Sequence, residues 1–140
     1  MTELTVSTIQ TAQFIDITGA VQQAVSAAGI LAGVCTVFVP HTTAGITIQE
    51  NADPDVVTDL LYALEQVVPQ NNSHYRHAEG NTAAHVKASL LGSSVNVLVQ
   101  AGRLQLGTWQ ALYFCEFDGP RTRKVWVTVS PTLAAGDGRR

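Results

Sequence analysis

PHTTAGITIQENADPDVVTDLLYALEQVV, residues 40–68, holds a turn, a strand and a helix in one continuous run. Pro40 cannot donate to a strand ladder, and the hydroxyls of Thr42 and Thr43 favour a turn, so His41 stands where one strand ends. Ala44 to Glu50 is rich in strand-forming residues. Asp53-Pro54 then starts a helix, because an aspartate side chain caps free amides and a proline in the first turn loses no hydrogen bond. That helix directs Val56, Val57, Leu60, Leu61 and Leu64 inward and ends near Val68, before Pro69. Strand and helix signals this close together show that the chain mixes both kinds of element.

The flanks supply the other elements. Leu4 to Phe14, rich in Thr, Val and Ile, reads as a pair of short strands or one bent strand. Thr18 is placed to N-cap a helix over about 18–28 whose residues Val21, Ala24, Val25 and Ala28 recur at helical spacing, with Gly29 to stop it. Val34 to Val39 is a strand. Downstream of Val68, QNNSHYRHAEGN (70–81) has no apolar periodicity and is longer than most connections in compact domains, which marks it as functional or disordered. Asn81 or Thr82 caps a short helix through Ala88, with His85 near its start. Val95 to Gln100, the turn Ala101-Gly102 and Arg103 to Gln105 form a hairpin. Trp109 to Phe117 and Val125 to Val129 are further strands, the last with Val125, Val127 and Val129 on one face and Trp126 on the other. One domain is expected over 1–132, followed by a flexible tail over 133–140.

Only 14% of the residues are charged against 46% apolar, so polar material to cover a monomer is scarce and a contact between subunits is expected. The net charge of -3 gives no basic field for nucleic acid. With neither a signal-peptide pattern nor an apolar run near the ~20 residues of a membrane span, the expected location is the cytoplasm and no membrane partner is expected. Cys35 and Cys115 sit in apolar runs and read as buried free thiols.

Four histidines remain to be explained. His74, His77 and His85 lie in or just after the polar loop, and His41 stands at a strand end that could meet it in space. Three imidazoles with an open fourth position can hold a catalytic zinc, but no short ligand spacing makes that assignment specific. Exposed loop histidines with no shared role are the alternative. Glu116 alternates onto the face of Leu112 and Phe114, where a carboxylate needs a partner. Arg121 and Arg123 follow it, able to neutralise Glu116 or to grip a phosphate, unless the strand end simply curls into water. Asn51 could tie a turn or face a substrate. A helix starting near Asn81 would aim free amides at an anion, and Lys87 could add charge there if it is not merely exposed. Trp109 and Gln110 have ordinary structural explanations: core packing and an amide pairing.

In order and spacing, HTTAGITIQENADPDVVTDL, YRHAEGN, HVKASLLG, GR and GTWQ resemble the YjbQ family, also called the secondary thiamine-phosphate synthase family. The resemblance spans about His41 to Val129. It implies an α+β fold, a mostly antiparallel β-sandwich with about three helices, assembled as a homotrimer. The activity implied joins a pyrimidine diphosphate to a thiazole phosphate, giving thiamine monophosphate and pyrophosphate. The alternative is a non-catalytic metal- or metabolite-binding trimer, and a third reading is a scaffold whose pocket is vestigial, which expects His41, His77 and His85 to stand far apart.

The residues that the resemblance marks as catalytic are His41, His77, His85, Glu79 and Glu116. Thr42, Thr43, Asn51, Asn81, Trp109, Gln110 and Arg123 would contact a small phosphorylated substrate. His41, His77 and His85 would hold a divalent metal, zinc or magnesium, or would bind an anion and move protons. His74 falls outside the pattern. Family members often carry an acidic residue before the histidine of the short helix, whereas this chain has Ala83 and Ala84 there.

Overall fold

A computed structural model describes residues 1–133 as two antiparallel sheets and three helices. The strands are β1 (Thr2–Ser7), β2 (Gln13–Asp16), β3 (Gly33–Phe38), β4 (Ala44–Glu50), β5 (Ser94–Gln100), β6 (Arg103–Leu104), β7 (Gln110–Glu116) and β8 (Thr122–Pro131). The helices are α1 (Thr18–Ala28), α2 (Pro54–Val67) and α3 (Thr82–Leu91). One sheet has the order β1-β8-β3-β5-β6 and the other β2-β7-β4. From residue 134 onward, the expected tail lies outside the described residues. Among those described, no helix is long and apolar enough to cross a membrane.

The sheets and α1 enclose the main core. Val21 and Val25 of α1, Cys35 and Val37 of β3, Ile46 of β4 and Val125 of β8 are fully buried there, with Leu112 and Phe114 of β7. Each large aliphatic or aromatic side chain so enclosed contributes roughly 1.5–3 kcal/mol. The opposite face of β7 presents Ala111, Tyr113, Cys115 and Phe117 to a second core, closed by Ala84 and Ala88 of α3 and, partly, Val57 and Leu64 of α2. The three-stranded sheet is therefore covered on both faces, and β7 reads apolar throughout for that reason.

The structure refines several expectations. Ile17 occupies the N-cap of α1, and Thr18 is its first residue. The Thr18 hydroxyl instead accepts from Leu112 N–H at 2.9 Å, tying α1 to β7. Asp53 does cap α2, accepting from Asp55 N–H at 2.9 Å. Its apolar stripe lies only half-buried, because α2 rests on the outside of the second core and buries no residue fully. The third helix continues past Ala88 to Leu91, where Gly92 ends it. Ala101-Gly102 forms the expected hairpin turn with φ of 52° and 72°, the pair of positive values that a type I′ turn requires. Trp126 stacks on Phe38 at the outer face of the large sheet, ring centroids 5.8 Å apart.

Candidate functional site

Three separate segments deliver the histidines to one place. The turn between β3 and β4 carries His41, the loop after α2 carries His77, and α3 carries His85 one turn from its start. The loop is folded back on itself, since Gln70 Nε2 donates to Gly80 O at 2.9 Å and Gly80 N–H donates to His77 O at 3.1 Å. Gly80, with φ of 72°, makes that return possible. His77 and His85 meet edge to face with centroids 5.4 Å apart. The wide separation of the three rings that the scaffold reading expects is not found.

Two adjoining clefts share His41, Thr42 and His85 as a common wall. One, of about 400 Å³, is polar and adds Thr43, His77, Glu79, Asn81, Asp118, Arg121 and Arg123. The other, of about 490 Å³, is lined by small residues, Ala44, Ala88, Ser89, Gly92 and Ser93. Gly45 behind them is required by close packing: a Cβ there would lie 2.7 Å from Gly92 O. The β4 backbone and the end of α3 can approach this closely only without that side chain.

The back of the polar cleft is a buried ion pair. Glu116 is 0% exposed and Arg123 is 4% exposed. Glu116 Oε1 accepts from Thr8 Oγ1 and from Arg123 Nε, both at 2.8 Å, while Oε2 accepts from Phe117 N–H, Asp118 N–H and Arg123 Nη2. Arg123 Nη2 also donates to Thr43 Oγ1 at 2.9 Å. Burial alone would raise the Glu116 pKa, but the Arg123 guanidinium, Asp118 N–H and Thr8 hydroxyl outweigh it and hold the carboxyl below its ordinary range. The catalytic role expected of Glu116 is therefore replaced by an anchoring one: the carboxylate is closed off and acts on the cleft through Arg123. Gly119 keeps the turn above it tight, since a Cβ there would meet Gln10 O at 2.3 Å and Glu116 Cγ at 2.9 Å.

His41 is held by the backbone of β8. Its Nε2 accepts from Lys124 N–H at 2.9 Å. Burial and then the Arg123 charge lower its pKa, favouring the neutral ring. The acidic Glu79 approaches His77 Nε2 at 3.8 Å, an ion-pair distance too long for a hydrogen bond. Asn81 Nδ2 donates to Asp118 Oδ2 at 2.9 Å, and Arg121 Nη2 donates to the same oxygen at 3.0 Å. The Asn81 side-chain amide oxygen, Oδ1, is buried without a partner.

A three-histidine metal centre does not fit this donor set. The Nε2 lone pair of His41 is already engaged, and a neutral ring whose Nε2 accepts carries its proton on Nδ1, leaving no free lone pair for a cation. Among the described residues, no three His, Cys, Asp or Glu side chains are grouped to hold a metal ion.

Other expected site residues stand elsewhere. Asn51, Trp109 and Gln110 cluster where Asn51 N–H donates to Trp109 O at 3.1 Å and Gln110 Oε1 accepts from Gly107 N–H at 2.7 Å. The β4–β7 ladder pairs Ala44 with Glu116 at the cleft end and Glu50 with Gln110 at the other. Six residue steps of strand separate the two ends by roughly 20 Å, so these three residues do not touch the histidine cleft of their own chain. Lys87 also points away, buried and bonded through Nζ to Glu65 Oε1 at 2.8 Å, where it ties α3 to α2. Asp118 and Arg121 are the cleft residues that sequence reading missed or left unassigned, and their only signal was nearness to Glu116. Ala83, two positions before His85 on α3, is wholly enclosed.

Comparisons with known proteins agree with this fold. The family model described as UPF0047 protein YjbQ-like matches residues 2–132. The chain is 52% identical over 124 residues to UPF0047 protein YugU of Bacillus subtilis, covering 89% of this chain and 94% of that protein. A crystal structure of an uncharacterised YjbQ/UPF0047 family protein from Clostridium acetobutylicum superposes with a TM-score of 0.91 at 53% identity, covering 93% of this chain and 100% of the other. A YbjQ-like protein of unknown function from Sulfolobus solfataricus gives 0.89 at 33% identity, covering 94% and 96%. A family match over nearly the whole described chain, with the same fold at this level of identity, leads to one conclusion: this chain belongs to the YjbQ-like UPF0047 family.

Proposed function

We propose that the polar cleft binds a phosphorylated small molecule and assists the departure of a diphosphate, as in a thiamine-phosphate synthase reaction. The observation that carries this reading is the meeting of His41, His77 and His85 beside Arg121 in a single cleft. A leaving diphosphate develops negative charge, and donors fixed in advance stabilise that charge more than mobile water does. In the reaction, the bond between the pyrimidine methylene carbon and the diphosphate oxygen breaks with its electron pair on oxygen. The thiazole nitrogen lone pair forms the new carbon–nitrogen bond. The Arg121 guanidinium suits the diphosphate, and the His77 and His85 rings line the same cleft. The adjoining cleft of small residues offers room for a ring.

The acting species in this proposal is a homotrimer. The low charge content supports it, as do the exposed apolar residues Tyr62, Val67, Val86 and Leu90 on α2 and α3. In a second reading, the trimer binds the metabolite without turning it over. The test incubates the protein with both thiamine precursors and measures thiamine monophosphate. Product from the wild type and none from His85→Ala supports catalysis. Ligand binding without product selects the second reading, and no binding of either precursor removes both.

A further inference from the structure

We propose that His41 is a fixed neutral hydrogen-bond donor that presents Nδ1–H to the cleft, built to receive an anionic oxygen and not a metal ion. Two geometric facts carry it. Lys124 N–H reaches Nε2 at 2.9 Å, and the backbone amide has no other proton state, so Nε2 must be the acceptor. The same ring lines both clefts, and among the described residues Nδ1 makes no hydrogen bond within the protein. In the neutral ring the proton therefore sits on Nδ1, the one nitrogen left for a ligand.

The lock is structural. Antiparallel pairing of β3 with β8 sets Phe38 opposite Trp126, so the chain leaving β3 passes beside Lys124 and the His41 ring folds onto its amide. The charged groups that act on the ring are Arg123, Arg121 and Glu116, with Glu116 paired to Arg123, and Glu79 and Asp118 line the same cleft. A neutral donor beside two guanidinium groups accepts an anion without adding a third positive charge to the wall.

That the anion is a phosphate or diphosphate rests on the function proposed above; the tautomer does not. Two-bond proton–nitrogen NMR on the full chain labelled with ¹⁵N-histidine, with His41 assigned through His41→Ala, reads the protonated nitrogen directly. Near neutral pH the His41 signals should report protonated Nδ1 and bare Nε2. Zinc chloride should leave them unmoved, whereas pyrophosphate should shift them. His41→Asn, whose amide N–H lies close to the place of Nδ1–H, should bind pyrophosphate within a few-fold of wild type, while His41→Ala loses about tenfold. Protonated Nε2, or zinc-dependent shifts at His41, would overturn the proposal, and so would equal pyrophosphate affinity in all three proteins. A locked Nδ1–H tautomer in a protein that binds no phosphate would support the donor assignment and sink the phosphate-binding function instead.

Discussion

Glu116 and Arg123 face each other with almost no contact with water, the carboxylate holding the guanidinium by Nε and Nη2 while the same Nη2 reaches Thr43. The pair joins the end of β7 to β8 and to the turn that bears His41. The wall of the cleft thus depends on one buried interaction.

Breaking that pair from one side leaves an uncompensated charge in the interior. Glu116→Gln is expected to lower stability by about 3 kcal/mol, measured by urea unfolding. Replacing both partners with apolar residues of similar volume, as in Glu116→Leu with Arg123→Met, should cost less than the single change. A double variant less stable than Glu116→Gln would show that the pair itself, and not the stranded charge, carries the energy.

Acid sensitivity follows from the same carboxyl. The folded pKa of Glu116 lies below its unfolded value of 4.5, so its contribution is complete above that value and is lost as the pH falls through the folded pKa. His41 acts in a higher window: its folded pKa lies below the ordinary histidine value of 6.5, so the unfolded chain takes up the proton first and stability falls as the pH drops from about 6.5. Unfolding free energies measured from pH 8 to 5 should decline less steeply in His41→Asn than in the wild type. Parallel curves would remove His41 from the pH dependence.

At Gly45 a methyl group has nowhere to go. Gly45→Ala would place Cβ 2.7 Å from Gly92 O and 3.3 Å from Leu91 Cβ, forcing α3 off the sheet. The expected loss is about 1–3 kcal/mol, with a shifted His85 signal in the NMR spectrum. An unchanged melting temperature would show that α3 gives way freely.

Both thiols should be inert in the folded protein. Burial pushes the Cys35 thiol up to about 11 and Cys115 higher still, so neither forms appreciable thiolate near pH 8. A colourimetric disulfide reagent should titrate no thiol in buffer and two in denaturant. Rapid reaction of either cysteine in buffer would contradict the enclosed core around β3 and β7.

Asp53-Pro54, Gly29 and Ala101-Gly102 declared their structures in the sequence because capping and turn formation involve atoms only a few residues apart. The reading of α2 was less complete. Its periodic apolar residues were plain, yet their half-burial depends on how much of the second core α3 had already covered. Lys87 shows the same limit, since an exposed lysine and one enclosed against Glu65 have the same neighbours in the chain.

The sequence by itself determined the α+β element order, the helix starts, the buried thiols and the presence of an unusual histidine-bearing loop. The tertiary structure alone decided that rings 36 and 44 residues beyond His41 share its cleft, that Glu116 is sealed behind Arg123, and that Asn51 and Trp109 lie at the far end of the ladder. It also decided which nitrogen of His41 faces a ligand. The physical reason is that local conformational signals fade within a turn or two of chain, whereas the Lys124 amide, 83 residues from His41, is brought there by strand register.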